Sequence, residues 1–493
     1  MFKITKKLKR LSLILMIIGL VSLIYGFVSD FSHYTENPKH HFATWPALLF
    51  NTYFFLGISV FAVFFIALQY ITEASWSIVV KRIPEAIISF LPSAGSVMLV
   101  IVITAGLHFG GNHVYHWMAH GIMDEFVPEH QAKLDDGTTI VSSSPVLDIY
   151  TDVSFMNQDS LIVPLSLGEY KLENGLSFIV DSVGIVSKII DENSNEFLQK
   201  NRLIKSGNDI KNPGYDKIIA GKKAYLNIPF FTLRSFLYIL IWIYFGYKLK
   251  KLSEEEDKFG GLSYYNKGIR TSAWFIVFFA VTSSTASWDW IMSIDTHWFS
   301  TLFGWYVFSE WAVTGFATIL LITLYLKRKG YLPHVNSSHI HDLGKYVFAF
   351  SLVWTYMWFS QFMLIWYSNI PEEVVYFITR IEDYNFLFFG MVVLNLIFPL
   401  IVLMNSDFKK TKFIVILTGI VIIIGHYIDV YNMIMPSAVG NLWSFGPAEI
   451  GGFLFFLGIF LYVVFRSISN APILAKGDPF IEESKSFQYY NLD

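Results

Sequence analysis

The chain has 493 residues, of which 54% are hydrophobic and only 15% are charged, and its mean hydropathy is +0.48. This composition excludes a soluble multidomain protein, and the 18% of aromatic residues excludes disorder. The net charge of −3 provides no basic surface for nucleic acid. Because the chain has no cysteine, it offers no disulfide, thiolate zinc site, cysteine-ligated iron–sulfur cluster or thioether-attached haem.

Apolar stretches of about 20 residues recur along the chain, and each is long enough to cross a hydrocarbon core about 30 Å thick. Lipid has no water to satisfy free backbone groups, so these stretches must be helices. We therefore predict an all-α polytopic membrane protein with about ten transmembrane helices. The predicted spans are 11–28, 45–70, 86–108, 229–247, 270–290, 302–326, 344–368, 383–404, 413–435 and 447–468.

Basic residues predict the orientation of these spans. Lys and Arg are concentrated in the loops on one side, while the short loops on the other side hold only Lys39 and Arg380. The positive-inside rule then places both termini in the cytoplasm. The first span follows a basic segment, as a signal peptide does, but its long apolar run without a cleavage pattern indicates a membrane anchor.

The spans divide the chain into five parts. Segment 109–228 is a long outer insert in which residues 161–164 (LIVP) and 178–186 (FIVDSVGIV) are typical of short strands between turns. We interpret it as a small β-rich periplasmic unit that serves for docking or packing. The parts are 1–108 with spans 1–3, the insert 109–228, 229–301 with spans 4–5, 302–446 with spans 6–9, and 447–493 with span 10 and a cytoplasmic tail.

Ionisable residues inside spans are the candidate functional residues, because a charge at the bilayer centre costs ~2.5–3.5 kcal/mol. Asp289 ends span five, Glu310 lies about 12 Å inside span six, and His426 and Asp429 share one face of span nine. We predict that these groups meet in one interior pocket in the outer half of the bilayer. The alternative is that each is a helix-end residue with local hydrogen bonds.

Further polar residues lie near these acids in the sequence. Asp295 and His297 follow Asp289 in the outer loop, and Gln361 lies in the outer half of span seven. The hydroxyls at 282–287, including Ser283 and Ser284, either bond back to their own helix or line a hydrated path to Asp289. A histidine run at 108–120 has no carboxylate or cysteine at ligand spacing, so we predict no metal site there. A bis-histidine haem needs two facing histidines at similar depth inside the bundle, and only His426 is clearly internal, so we predict no such haem.

A weak internal repeat relates the two halves of the chain. Span five reaches DWIM at 289–292 and span nine, four crossings later, reaches DVYNMIM at 429–435. A shift of four helices preserves direction, so spans 2–5 and 6–9 are predicted to form two parallel bundles.

Four segments carry a resemblance to a known family. The sequence resembles the ActF-type membrane subunit of bacterial alternative complex III. The matching segments are 289–301 (DWIMSIDTHWFST), 341–345 (HDLGK), 359–373 (FSQFMLIWYSNIPEE) and 426–436 (HYIDVYNMIMP).

This resemblance implies an NrfD-like fold, with two four-helix bundles and peripheral helices, in the bacterial inner membrane. It implies a complex that oxidises a quinol such as menaquinol and passes electrons to cytochrome c or a terminal oxidase. Its c-haems and iron–sulfur clusters lie in partner subunits, and the quinol site is better assigned to the homologous ActC-type membrane subunit. This chain would then contain no catalytic residue and no redox centre of its own.

We expect the chain to provide a proton pathway toward the periplasm. Asp289, Glu310 and Asp429 would relay protons and His426 would act as a switchable donor. Gln361, Ser283 and Ser284 would hold water. Alternatively, the chain binds quinol itself, with Asp295 and His297 at the outer face. A secondary transporter, which would show broken helices at matched repeat positions, and a purely structural scaffold are further alternatives.

Overall fold

The computed structural model confirms an all-α polytopic membrane protein, with ten helices long and apolar enough to cross a membrane among the residues that it describes. The described residues are 2–36, 42–119, 121–134, 136, 138–142, 146–147, 154–156, 162–172, 177–180, 186–190, 201–202, 204–212, 215–441 and 445–489. Two compact units result, one formed by residues 1–118 and 226–493 and the other by residues 119–225.

The helices of the first unit follow the predicted spans. Those before the second unit are α1 (Lys6–Glu36), α2 (Thr44–Ile71), α3 (Arg82–Ile88) and α4 (Leu91–Gly106). Those after it are α6 (Ile228–Phe259), α7 (Leu262–Trp290), α8 (Phe303–Arg328), α9 (Ser337–Ser368), α10 (Pro371–Glu382), α11 (Asn385–Val392), α12 (Phe398–Leu403), α13 (Ser406–Lys410), α14 (Lys412–Val439), α15 (Pro447–Asn470) and α16 (Ile481–Ser486).

Contacts group most of these helices into two sets of four. The first set is α2, α4, α6 and α7, and the second is α8, α9, α11–α12 and α14. They correspond to predicted spans 2–5 and 6–9. The sets meet where α2 and α7 pack against α8 and where α2 packs against α14. This junction is the most buried part of the unit, because α2 and α8 are buried on nearly every face.

The helices α1 and α15 form a closely packed pair beside α2 and α3. A Cβ atom at Gly19 would clash with the backbone of Phe455 and Gly451, so the two helices approach to backbone distance. Small residues permit such an approach in lipid, where van der Waals packing holds helices together.

The predicted spans 86–108 and 383–404 are present as Arg82–Gly106 and Asn385–Leu403, and each contains an interruption of the regular α-helix. Span three consists of α3 and α4, and span eight consists of α11, a π-helical turn at Val393–Ile397, and α12. Pro399, in the first turn of α12, has no N–H for the carbonyl four residues earlier, which explains the widened turn. The interruptions fall in spans three and eight, which are not matched positions of the predicted repeat.

The polar C-terminal segment 471–489 folds over one end of the helices. Asp478 accepts a hydrogen bond from buried Lys81 at 2.7 Å, and Ser484 bonds to the backbone of Trp76 and Val79. Farther along, the hydroxyl of Tyr489 donates to Asp342 at the start of α9. The tail therefore contacts both sets. We call this end the tail end, and the opposite end, where α10 and loop 291–302 lie, the α10 end.

The second unit contains short strands, as the sequence predicts, with the helix α5 (Lys217–Gly221). Its strands are β1 (Phe126–Lys133), β2 (Thr139–Ser142), β3 (Val146–Leu147), β4 (Ser154–Met156), β5 (Ile162–Pro164), β6 (Gly168–Lys171), β7 (Ser177–Val180), β8 (Val186–Ile190), β9 (Asn201–Arg202) and β10 (Ile204–Lys211). They form antiparallel sheets ordered β10-β1-β2-β4-β5, β3-β9 and β6-β7-β8.

Candidate functional site

The three predicted acids lie on three helices, each fully buried. Asp289 is next to the last residue of α7, Glu310 is two turns into α8, and Asp429 lies on α14 beyond its midpoint. Because α7 and α14 both pack against α8, Glu310 lies on the helix between the other two. All three are nearer the α10 end than the tail end.

Asp289 belongs to a fully compensated ion pair. Arg234 on α6 donates from Nε and Nη2 to the two carboxylate oxygens at 2.8 and 2.9 Å, and the hydroxyl of Tyr238 donates at 2.8 Å. Arg234 also lies over the ring of Phe230, with 4.2 Å from its guanidinium carbon to the ring centroid. A bidentate guanidinium and a hydroxyl satisfy a buried carboxylate well, so this arrangement suits a structural ion pair.

Asp429 is held by neutral donors. The hydroxyl of Tyr306 on α8 donates to one carboxylate oxygen, and the indole of Trp354 on α9 donates to the other at 2.8 Å. The Nδ1 atom of His426 lies 3.6 Å from Asp429 on the same face of α14, and its ring packs edge-on against Trp354. Neither ring nitrogen of His426 has a hydrogen-bond partner among the described residues.

Glu310 has the least compensated carboxyl group. Neither of its side-chain oxygens accepts or donates a hydrogen bond within the described part of the chain, although the residue is completely buried. It interacts electrostatically with Asp429 and with Tyr53 on α2. The Thr314 hydroxyl, one turn farther along α8, also interacts with this carboxyl group, but it donates its hydrogen bond to the Glu310 backbone carbonyl. We call Glu310, Asp429, His426, Tyr306 and Tyr53 the carboxyl cluster. Two buried carboxyls without a lysine or arginine partner form a site at which a proton can be shared.

Two buried tyrosines link the ion pair at Asp289 to Glu310. Tyr115, in the segment after α4, interacts electrostatically with Asp289 and with Tyr53, and Tyr53 interacts with Glu310. The Tyr53 hydroxyl has no hydrogen-bond partner among the described residues. The structure thus brings Glu310, His426 and Asp429 together and places Asp289 apart from them, connected through two phenols.

The hydroxyls at 282–287 mostly bond back to their own helix. Ser284 donates to the carbonyl of Ala280, and Ser287 donates to the carbonyl of Ser284. Thr282 donates to Phe278 and accepts from the indole of Trp242. Ser283 is buried on the same helix. These contacts match the first of the two alternatives raised by the sequence, internal bonding within α7.

A small cavity lies beside the carboxyl cluster toward the α10 end. Tyr306, Gln361, Tyr376, Arg380 and Asn432 supply its polar lining, and it leaves about 10 Å³ for the centre of a water-sized sphere. That is room for about one water molecule and far below the several hundred Å³ of a typical ligand pocket. A quinol ring therefore does not fit here. Gln361 also accepts a hydrogen bond from Ser300 at 3.2 Å.

Arg380 lies between spans seven and eight, as predicted, but this connection is the helix α10 and the side chain is buried. Its guanidinium donates to the backbone carbonyls of Asn432, Tyr376 and Met433 and to the Ser437 hydroxyl. Pro436 lacks the N–H that would otherwise bond to the carbonyl of Asn432, and Arg380 supplies that donor.

Asp295 and His297 lie in the loop at the α10 end. Asp295 is half-buried and interacts electrostatically with Arg380 and Tyr376, whereas His297 is exposed. Burial lowers the pKa of Arg380 below its usual value, and Tyr376 and Asp295 only partly oppose that shift. Tyr376 in turn stacks on Trp298 at 3.8 Å between ring centroids.

The histidine run adopts no continuous helix, because α4 ends at Gly106 and His108 has a positive φ of 50°. The rings of His108 and His113 stack 5.3 Å apart. Within the described part of the chain, no group of three or more His, Asp or Glu residues could hold a metal ion. His120 lies outside the described residues, as does Lys39.

Sequence reasoning missed Arg234 and Tyr238, which share a face of span four one helical turn apart. Arg234 lies near the outer end of span four, and Asp289 lies near the outer end of span five. Their similar depth was a signal that the two residues could pair. It also missed the phenols of Tyr53, Tyr115 and Tyr306, which resemble any other aromatic residue of an apolar chain.

Comparison with protein-family models gives no match. Comparison with curated proteins gives none either.

Proposed function

We propose that this chain is the proton-conducting membrane subunit of a quinol-oxidising respiratory complex of the alternative complex III type. The single observation that carries the proposal is the carboxyl of Glu310, which is buried without a hydrogen-bond partner among the described residues beside Asp429. A carboxylate placed in this way costs stability, and an acid that only packs is readily replaced by an apolar residue. Proton transfer provides a reason for its presence.

The carboxyl cluster has the components of a relay. Glu310 and Asp429 each bind or release one proton, and the Tyr306 hydroxyl passes one on by giving its own proton as it accepts another. His426 lies within reach of Asp429 as an additional acceptor. A water molecule in the cavity at Gln361 would continue the path toward Asp295 at the α10 end, which the positive-inside rule places at the periplasm.

The proposal assigns electron transfer to partners. Quinol oxidation releases two protons with two electrons, and the cysteine-free chain has no thiolate for an iron–sulfur cluster and no thioether attachment for haem. Haem and iron–sulfur subunits, the ActC-type membrane subunit and a terminal oxidase are the partners that the resemblance implies. Asp289, with its ion pair to Arg234, would position Tyr115 beside Tyr53 and the relay.

A Glu310→Gln substitution tests the relay. Gln retains the shape but cannot release a proton, so proton release by the assembled complex in liposomes should slow about 10²-fold. Glu449→Gln is a matched control, because Glu449 is also buried but its carboxylate accepts the Gly446 N–H at the start of α15. Proton release measured with a pH-sensitive dye at the wild-type rate in Glu310→Gln would refute the relay.

Purification of the native chain tests membership of the complex separately. A tagged chain should copurify with subunits that absorb at haem wavelengths. Recovery of the chain alone from gently solubilised membranes would contradict its membership of the complex. The Glu310→Gln variant would still test the proton relay.

A further inference from the structure

The helix α6 exposes an apolar stripe that ends in lysines. Its members recur every three or four residues and so lie on one face of the helix. The exposed side chains of the stripe are Leu233, Phe236, Leu237, Leu240, Tyr244 and Tyr247. Lys248 and Lys251 continue the same face toward the tail end and are exposed. From Leu240 to Lys251 the helix rises about 16 Å, close to half of the hydrocarbon thickness.

An open groove of about 610 Å³ lies where the stripe meets the lysines. Ile243, Tyr244, Tyr247, Lys248, Lys250, Lys251 and Glu254 line it. Its lining includes three lysines and one glutamate, so the balance of charge is positive.

Within the described part of the chain, one lysine of the groove, Lys251, forms an ion pair, and that pair is long. Lys250 donates to the hydroxyls of Ser89 and Ser467 at 2.8 Å each, and Lys248 donates to the hydroxyl of Tyr244 at 3.3 Å. Lys251 lies 3.9 Å from Glu255, and its side chain is 77% exposed. Neutral hydroxyls orient Lys248 and Lys250, and Glu254 and Glu85 interact electrostatically with Lys250. The exposed ammonium groups of Lys248 and Lys251 are therefore the ones that offer charge to an external anion.

We infer that this groove binds the headgroup of an anionic phospholipid, whose acyl chains lie along the stripe of α6. Charge complementarity selects the headgroup, because the lysines attract a phosphodiester and repel the quaternary amine of a zwitterionic lipid. The apolar stripe favours a lipid over free phosphate, because phosphate has no acyl chain to pack against it. Tyr244 and Tyr247 occupy the position at the membrane interface that amphipathic aromatic rings prefer.

Lipid titrations of the full chain in detergent test the inference. Binding of phosphatidylglycerol, phosphatidylcholine and inorganic phosphate is measured by native mass spectrometry and by the thermal unfolding midpoint. Wild-type protein should bind phosphatidylglycerol in preference to phosphatidylcholine, and the lipid should raise the midpoint. Millimolar inorganic phosphate should neither raise the midpoint nor displace the lipid.

A double variant, K248Q/K251Q, removes two charges from exposed positions and so leaves the fold intact. Its dissociation constant for phosphatidylglycerol should rise about thirtyfold, since each juxtamembrane lysine contributes about 1 kcal/mol. The matched control K258Q/K267Q removes two exposed lysines at the same end outside the groove and should bind as wild type does. Equal affinity in wild type and K248Q/K251Q, equal binding of phosphatidylcholine, or displacement by phosphate would each overturn the inference.

Discussion

Replacing Arg234 by leucine is expected to lower the free energy of unfolding by about 3–5 kcal/mol. The substitution leaves the Asp289 carboxylate in a dry interior with Tyr238 as its remaining side-chain donor. Much of the loss is the cost of a buried charge without a cation, rather than the strength of the pair itself. The thermal unfolding midpoint of the purified chain in detergent, followed by size-exclusion chromatography, measures the effect.

A double substitution separates these two contributions. Arg234→Leu combined with Asp289→Leu removes both charges, so it should recover most of the stability that the single variant loses. Arg328→Leu, at an exposed position near the end of α8, is the control and should change stability by no more than about 0.5 kcal/mol. If the double variant is as unstable as Arg234→Leu, the unpaired Asp289 carboxylate is not the cause of the lost stability.

Replacing Arg380 by leucine is expected to cost roughly 3 kcal/mol, the upper end of the range for leaving a buried acceptor unsatisfied. The carbonyl of Asn432 depends on this guanidinium, because Pro436 provides no N–H to it. Lysine at position 380 should recover only part of the loss, since an ammonium cannot reproduce the planar fork that reaches several carbonyls at once.

Removing the proline provides the decisive comparison. Pro436→Ala restores an N–H that can bond to the carbonyl of Asn432, so Arg380→Leu should cost less in a Pro436→Ala background than in wild type. The coupling is obtained from unfolding midpoints of the four proteins in a double-mutant cycle. Strictly additive effects would mean that Arg380 stabilises α10 by other contacts.

The sequence predicted the spans well, because twenty apolar residues without a break have no stable alternative to a membrane helix. The errors are local and have local causes. Pro399 widens span eight into a π turn, and α6 continues to Phe259 because the residues after the bilayer are good helix formers.

The candidate site was predicted only in part. His426 and Asp429 share a helix face, so their proximity follows from spacing alone. Which helices face one another does not follow from spacing, and this is why Asp289 was grouped with acids that lie on the other side of Tyr115 and Tyr53. The Tyr306 and Trp354 donors to Asp429 come from two other helices and depend on the same tertiary arrangement.

The pairing of α1 with α15 has a consequence for biogenesis. The two helices are separated by most of the chain, so their contact has a high contact order and forms late. Until α15 enters the bilayer, α1 has few helix contacts beyond those with the start of α2, and its apolar residues around the whole circumference let it face lipid. Gly19 then forms the contact site for α15, which enters the membrane after the other nine spans.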